Sequence, residues 1–223
     1  MSKRPRGAAG GSAMSGLPVP TTPNKPPAWK VGGATILTFV ALLYVIEVVD
    51  TAMNNRLDYD GIYPRQAEGL WGILWAPFLH GGWPHLFANT IPLLVLGFLM
   101  TLLGIARFVA ATAIIWILGG FGTWLIAPYG PVIGASGVIM GYLTFLIVFG
   151  FFTRKVWEIV VGVVVFLYYG TILLAVLPLF VGPGVSWQGH LCGAVAGVIA
   201  AYLLSGPERK ARQLRKPTNQ LTS

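Results

Sequence analysis

The chain is short of charge: Asp, Glu, Lys and Arg together make up 10% of its 223 residues, and only seven residues are acidic. A soluble domain carries about 25% charged residues, so a water-facing surface of ordinary extent is excluded. Cysteine occurs once, as Cys192, which rules out a disulfide framework and leaves the redox compartment unreadable. Histidine occurs three times, at His80, His85 and His190. His80 and His85 are five residues apart, not the four of a helical ligand pair, and no carboxylate lies with them in an apolar run. That spacing argues against an intramembrane zinc hydrolase, and no cofactor or metal is implied. Long runs without alternation, such as Val160 to Leu177, exclude the strands of a membrane barrel.

Apolar length is what the chain has in quantity. Hydrophobic residues are 55% of the total, and they gather at about 31–49, 85–103, 107–127, 132–152, 156–180 and 187–204. Each run is close to the roughly 20 residues a helix needs to cross about 30 Å of hydrocarbon. The expectation is an all-α polytopic membrane protein, a six-transmembrane-helix bundle with both termini cytoplasmic. Charge placement supports that count. Thirteen of the fifteen basic residues fall in the segments that would be cytoplasmic, as the positive-inside rule requires. Arg56 and Arg65, in the first outer loop, are the other two.

Residues 29–205 thus form the membrane domain, between a basic N-terminal tail over 1–28 and a basic C-terminal tail over 206–223. Neither tail has enough apolar surface to order itself. The net charge of +8 needs no nucleic acid, because Lys and Arg beside a membrane are attracted to anionic headgroups at its cytoplasmic face. The first span starts too late and runs too long for a cleaved signal peptide and fits a signal anchor. A multi-pass protein of a bacterial cell membrane is the expected location. Between the first two spans, Gly69 to Trp83 is aromatic yet broken by Pro77, which suits a segment lying in the outer interface.

A few polar side chains interrupt the apolar runs, and at membrane depth each is costly enough to be a candidate for function. Ser136 sits in Gly134-Ala135-Ser136-Gly137, and His190 opens the last run 54 residues later. His85 and Asn89 open the second run, four apart and on one helical face. Helices two, four and six run in the same direction, so their early residues share a depth, and four polar groups from three helices can converge. From Gly137 to Phe152 the fourth helix spans only about 24 Å at 1.5 Å per residue, which sinks Ser136 below the outer surface. A serine hydroxyl needs a base, and His190 is the available one. No acidic residue maps near it, so a Ser-His dyad without a carboxylate is expected. The Ser136 backbone N–H, the Asn89 amide and His85 can stabilise an oxyanion.

Singly, each residue has a plainer role. A serine beside glycine packs membrane helices closely, a lone histidine or asparagine hydrogen-bonds across helices, and His80 braces a loop. Gly189, Gly193 and Gly197 form a small-residue stripe that packs helix six on helix four. The joint placement on three helices favours chemistry.

With His85-Leu86-Phe87-Ala88-Asn89 and the earlier His80, Gly134-Ala135-Ser136-Gly137, and His190-Leu191-Cys192-Gly193 followed by Gly197, the chain resembles the rhomboid intramembrane serine proteases over roughly 31–204. The resemblance implies Ser136 as nucleophile, His190 as general base, and His85 with Asn89 as oxyanion support. It also implies hydrolysis of peptide bonds in or near the transmembrane segments of membrane proteins. Two positions depart from the family. Met140 stands where an aromatic residue often packs on the base histidine, and the first outer loop lacks a Trp-Arg pair, for which Arg56 and Arg65 are the substitutes at hand. The rival from another class is a non-proteolytic rhomboid-like protein that binds transmembrane segments for quality control or trafficking. Such relatives typically lack the serine or the histidine; this chain has both.

Overall fold

The computed structural model describes residues 26–215. The tail expected over 1–28 lies almost wholly outside them, as do residues 216–223. The elements are α1 (Ala28–Ala52), the single-turn α2 (Gly72–Trp75), α3 (Trp83–Leu102), α4 (Ile105–Ile126), α5 (Ser136–Thr153), α6 (Val156–Tyr169), α7 (Trp187–Leu204) and α8 (Gly206–Leu214), joined by loops and 3₁₀ turns. No strand occurs among the described residues, and six helical segments are long and apolar enough to cross a membrane. The bundle matches the all-helical, six-span architecture expected from the apolar runs.

Helix α5 lies at the centre, packed against α3, α4, α6 and α7, while α1 packs on α3 from outside. Eleven of the 18 residues of α5 are buried within the protein, against three of the 21 in Val156–Val176. Lipid is as apolar as a leucine side chain, so helices in it are held by close packing and hydrogen bonds, with little hydrophobic drive between them. Both are present. Phe145 and Phe149 of α5 stack at 4.8 Å between ring centres. Tyr142 of α5 shares a 2.8 Å hydrogen bond with Thr112 of α4, and the Thr144 hydroxyl donates to the Ala194 carbonyl of α7 at 2.7 Å. Glycine allows α5 and α7 to meet backbone to backbone: a methyl added to Gly193 would lie 2.7 Å from the carbonyl carbon of Gly137. The expected glycine stripe therefore does face α5.

Two spans differ from the sequence-based boundaries. The fourth helix begins at Ser136, not at 132, because Val132 is held extended by a two-bond bridge: Ile62 N–H donates to the Val132 carbonyl and Val132 N–H to the Ile62 carbonyl, both at 3.0 Å. The fifth run, 156–180, is not one helix. It leaves α-geometry at Gly170, continues as a 3₁₀ turn over Gly170–Val176, and resumes as a second over Pro178–Phe180. Glycine is a poor helix former, and Pro178 lacks an N–H and pushes the preceding residue out of the helical region; Leu177 is accordingly extended at φ −106°, ψ 137°.

The C-terminal segment also differs from the unordered tail expected. Residues 206–214 form α8, which is held by distant partners. Glu208 pairs with Arg107 at 2.6 Å and with Lys155 at 3.2 Å. Arg212 donates to the Phe152 and Thr153 carbonyls at the end of α5, where a cation also complements the helix dipole.

The loop between α1 and α3 is folded onto the bundle. Arg65 donates to the carbonyls of Leu125, Ala127 and Pro128, closing the C-terminal end of α4, and Trp116 and Trp124 of α4 donate to the Ile73 and Gln66 carbonyls. The residue after Trp71 is Gly72, whose backbone lies so close to Gly61 and Ile62 that a side chain there would overlap them. An arginine directly after that tryptophan has no room. Arg65 makes its backbone contacts from a different position, whereas Arg56 is exposed.

Candidate active site

Ser136 is the first residue of α5, His190 the fourth of α7 and His85 the third of α3. All three line one cavity of about 700 Å³, whose walls include Trp116, Gly119, Gly120, Gly134 and Gly189. Side chains at the starts of three helices meet there because α3, α5 and α7 run in the same direction.

The Ser136 hydroxyl oxygen lies 2.9 Å from His190 Nε2, within normal hydrogen-bond length. The other ring nitrogen of His190, Nδ1, lies 3.0 Å from the Ala175 carbonyl oxygen. His85 is held from the opposite side. Its Nδ1 accepts the Gly81 backbone N–H at 3.3 Å, so a neutral His85 ring carries its proton on Nε2. That nitrogen is against Gly134: a methyl built on Gly134 would lie 2.8 Å from it and 3.7 Å from the Ser136 hydroxyl. Only a residue without a side chain fits between them, and Gly134 also has φ +115°, a conformation that glycine adopts at little cost.

The peptide leading to Ser136 is clamped on its far side. Gly134 N–H donates to the Ala76 carbonyl at 2.8 Å, and Ala135 N–H points to His80 Nε2 at 3.5 Å. His80 is almost wholly buried and its ring sits edge-on to His85 at 5.1 Å between centres. Burial lowers its pKa to about 4, with His85 adding to the effect and the Phe78 backbone opposing it, so His80 is uncharged at neutral pH. Its ring has one hydrogen-bond contact, with the Ala135 N–H, and does not line the cavity.

Other candidates fall differently. Asn89 is buried and donates through its amide nitrogen to the His85 carbonyl one turn earlier at 2.8 Å; it is not among the residues lining the cavity. Met140 is buried in the main core of α5. Gly137 lines the cavity, and Gly193 and Gly197 lie below it where α7 meets α5. The Cys192 sulfur faces Gly122 of α4. Three participants carried no side-chain signal in the sequence: the Gly81 N–H, the Ala76 carbonyl and the Ala175 carbonyl. Only the helix-breaking Gly170 and Pro178 hint that the last of these is not tied up inside a helix.

Residues 67–207 match the family model described as Rhomboid domain. The chain belongs to the rhomboid family. It is 61% identical to an uncharacterised protein of Mycobacterium tuberculosis, with 96% of this chain and 93% of that protein aligned. It is 31% identical to the rhomboid protease GluP of Bacillus subtilis over 65% of this chain and 28% of that protein, and 30% identical to the putative rhomboid protease YdcA of the same bacterium over 61% and 69%. No solved structure matches the chain. The rhomboid domain and six apolar helices make this a multi-pass membrane protein, from a family whose members include proteases.

Proposed function

We propose that this rhomboid is an intramembrane serine endopeptidase that hydrolyses peptide bonds in or near the transmembrane segments of membrane proteins through a Ser136–His190 dyad. The observation that carries the reading is the 2.9 Å approach of Ser136 Oγ to His190 Nε2 at the wall of a cavity. His190 Nε2 takes the hydroxyl proton as Oγ attacks the scissile carbonyl carbon. The resulting oxyanion receives hydrogen bonds from the Ser136 backbone N–H, unpaired at the start of its helix, and from His85 Nε2–H. Asn89, whose amide donates to the His85 carbonyl from outside the cavity lining, supports the oxyanion through the placement of His85. Collapse breaks the C–N bond, and the leaving amine takes the proton from His190. Water, deprotonated by the same nitrogen, then attacks the Ser136 ester and releases a carboxylate. Each preorganised oxyanion donor is worth about 2.7–4 kcal/mol in well-studied hydrolases.

The positive-inside pattern of the basic residues supports both termini on the cytoplasmic face, where anionic lipid headgroups would attract them, with the cavity toward the opposite side. The mycobacterial relatives support a bacterial cell membrane as the location. The test is cleavage of a reconstituted single-pass substrate. Wild type cleaves, Ser136→Ala and His190→Ala do not while remaining folded, and a fluorophosphonate labels Ser136 in peptide mapping. Equal cleavage by Ser136→Ala refutes the dyad, and substrate capture without any cleavage by wild type shows a binding protein instead.

A further inference from the structure

His190 is useful as a base only in one of its two neutral forms, the one with the proton on Nδ1 and the lone pair on Nε2. Nothing on α5 or α7 selects that form. The selecting group is the Ala175 carbonyl, 3.0 Å from Nδ1. A carbonyl oxygen can only accept, so Nδ1 must donate to it, and Nε2 is left free to take the serine proton. Apart from His190 itself, the only imidazole or phenol side chains lining the cavity are His85 and Tyr129, and His85 is held by Gly81. No carboxylate lines the cavity.

The segment that supplies this carbonyl is held to the bundle without any fully buried side chain. Gly170–Val176 and Pro178–Phe180 contain no buried residue, and none occurs between Val165 and His190. Its 3₁₀ bonds have poorer geometry than α-helical ones. Few buried contacts mark a segment that opens at low free-energy cost. It is seated on the core only through half-buried side chains such as Ile172, Leu173 and Val176.

We infer that residues 170–176 form a positioning strap: seated, its Ala175 carbonyl locks His190 in the form that can deprotonate Ser136, and unseated, it disables the base while leaving both catalytic side chains in place. This rests on the protease reading and deepens it, because a transmembrane substrate or lipid that displaces the strap would control proton transfer without touching either catalytic residue. In soluble serine proteases, the wrong tautomer with intact geometry lowers kcat about 10⁴-fold. A carbonyl is a weaker orienting partner than a carboxylate, so a smaller loss is expected here.

The test moves the carbonyl without touching the cavity. Val176→Pro drives Ala175 out of helical geometry, because the residue before proline avoids it; Val176→Ala is the control with an unchanged backbone. Ile172→Ala with Leu173→Ala loosens the strap by a separate route if the proline variant does not fold. In the full-length protein, fluorophosphonate labelling of Ser136 should slow about 30-fold in Val176→Pro and about fivefold in the double truncation, and stay within about twofold in Val176→Ala. Histidine ¹⁵N NMR should show His190 as the Nδ1–H form in wild type and as a mixture in the two strap variants. Wild-type labelling rates with an unchanged Nδ1–H form in both strap variants would overturn the strap inference alone. A wild type that neither labels nor cleaves would overturn the protease reading beneath it.

Discussion

Gly193→Ala is the sharpest probe of how α7 delivers its histidine. The added methyl would lie 2.7 Å from the Gly137 carbonyl carbon and 3.0 Å from the Gly137 Cα. Carbon atoms rest at about 3.5–4.0 Å, so α5 and α7 must part there by about 1 Å. His190 is less than a turn away on α7, and the same displacement takes its Nε2 from 2.9 Å to about 4 Å from the serine oxygen, beyond hydrogen-bond reach. General-base catalysis contributes about 10²–10⁴-fold, and a misplacement of about 1 Å can cost 10²-fold. The expected result is a kcat about 100-fold lower with KM within about threefold, because substrate contacts elsewhere in the cavity are kept. Gly189→Ala, on the same helical stripe, is the matched comparison. Its methyl would meet Ser186 and Val132 at 3.6 Å, an ordinary contact, and activity should stay within about threefold. Cleavage and fluorophosphonate labelling should move together. Labelling of Gly193→Ala at the wild-type rate would refute the claim that backbone contact between these helices sets the distance between serine and histidine.

Three further outcomes follow from the same geometry. Gly134→Ala combines φ +115° with a clash against His85 and should abolish detectable labelling; Gly104→Ala, at φ +107° with open space around it, carries only the backbone penalty of about 1–2 kcal/mol and should lower Tm without lowering activity. Burial, together with the charge of Asp50 and a hydrogen bond to it, raises the Asp58 pKa to about 6. The folded protein therefore favours the protonated acid: the stability this adds is complete below the ordinary carboxylate range and is lost as pH rises through about 6. Asp58→Asn, whose amide can make the same hydrogen bond, should raise Tm at pH 8 and leave it unchanged at pH 4; an equal effect at both pH values would refute the raised Asp58 pKa. Glu208→Gln removes the partner of Arg107 and Lys155 and should cost about 1 kcal/mol, a difference that shrinks in high salt; a salt-independent difference in Tm would place the loss in packing.

What could be read in advance followed from cost. A hydroxyl, an amide and two imidazoles in otherwise apolar runs stand out because lipid makes them expensive, and Ser136, His85 and His190 do line one cavity. The six spans were legible for the same reason, since twenty apolar residues have few other uses. The break at Gly170 was hidden because the residues after it, Thr171 to Val176, are nearly all as apolar as a membrane helix, and composition does not distinguish α from 3₁₀ geometry. Helix α8 was hidden because its order depends on Arg107 and Lys155, residues 101 and 53 positions from Glu208. Asn89 was legible as a buried polar group, but which acceptor its amide chooses depends on a rotamer.

That the partners of the two histidines could not be read follows from the scarcity of acid. A soluble serine protease orients its histidine with a carboxylate, but the seven acidic residues here are elsewhere, and a charge placed beside His190 at membrane depth would need its own desolvation offset. A backbone carbonyl gives the same directional preference without a net charge. Main-chain groups do the positioning throughout the site: the Ala175 carbonyl faces His190, the Gly81 N–H donates to His85, and the Ala76 carbonyl accepts from Gly134. A main-chain partner leaves no mark in the amino-acid sequence, and it is only as well placed as the segment that carries it. For His85 that segment is the tight turn at the start of α3. For His190 it is a strap without a buried residue, so the orientation of the base is the part of this site most open to displacement by whatever occupies the membrane beside it.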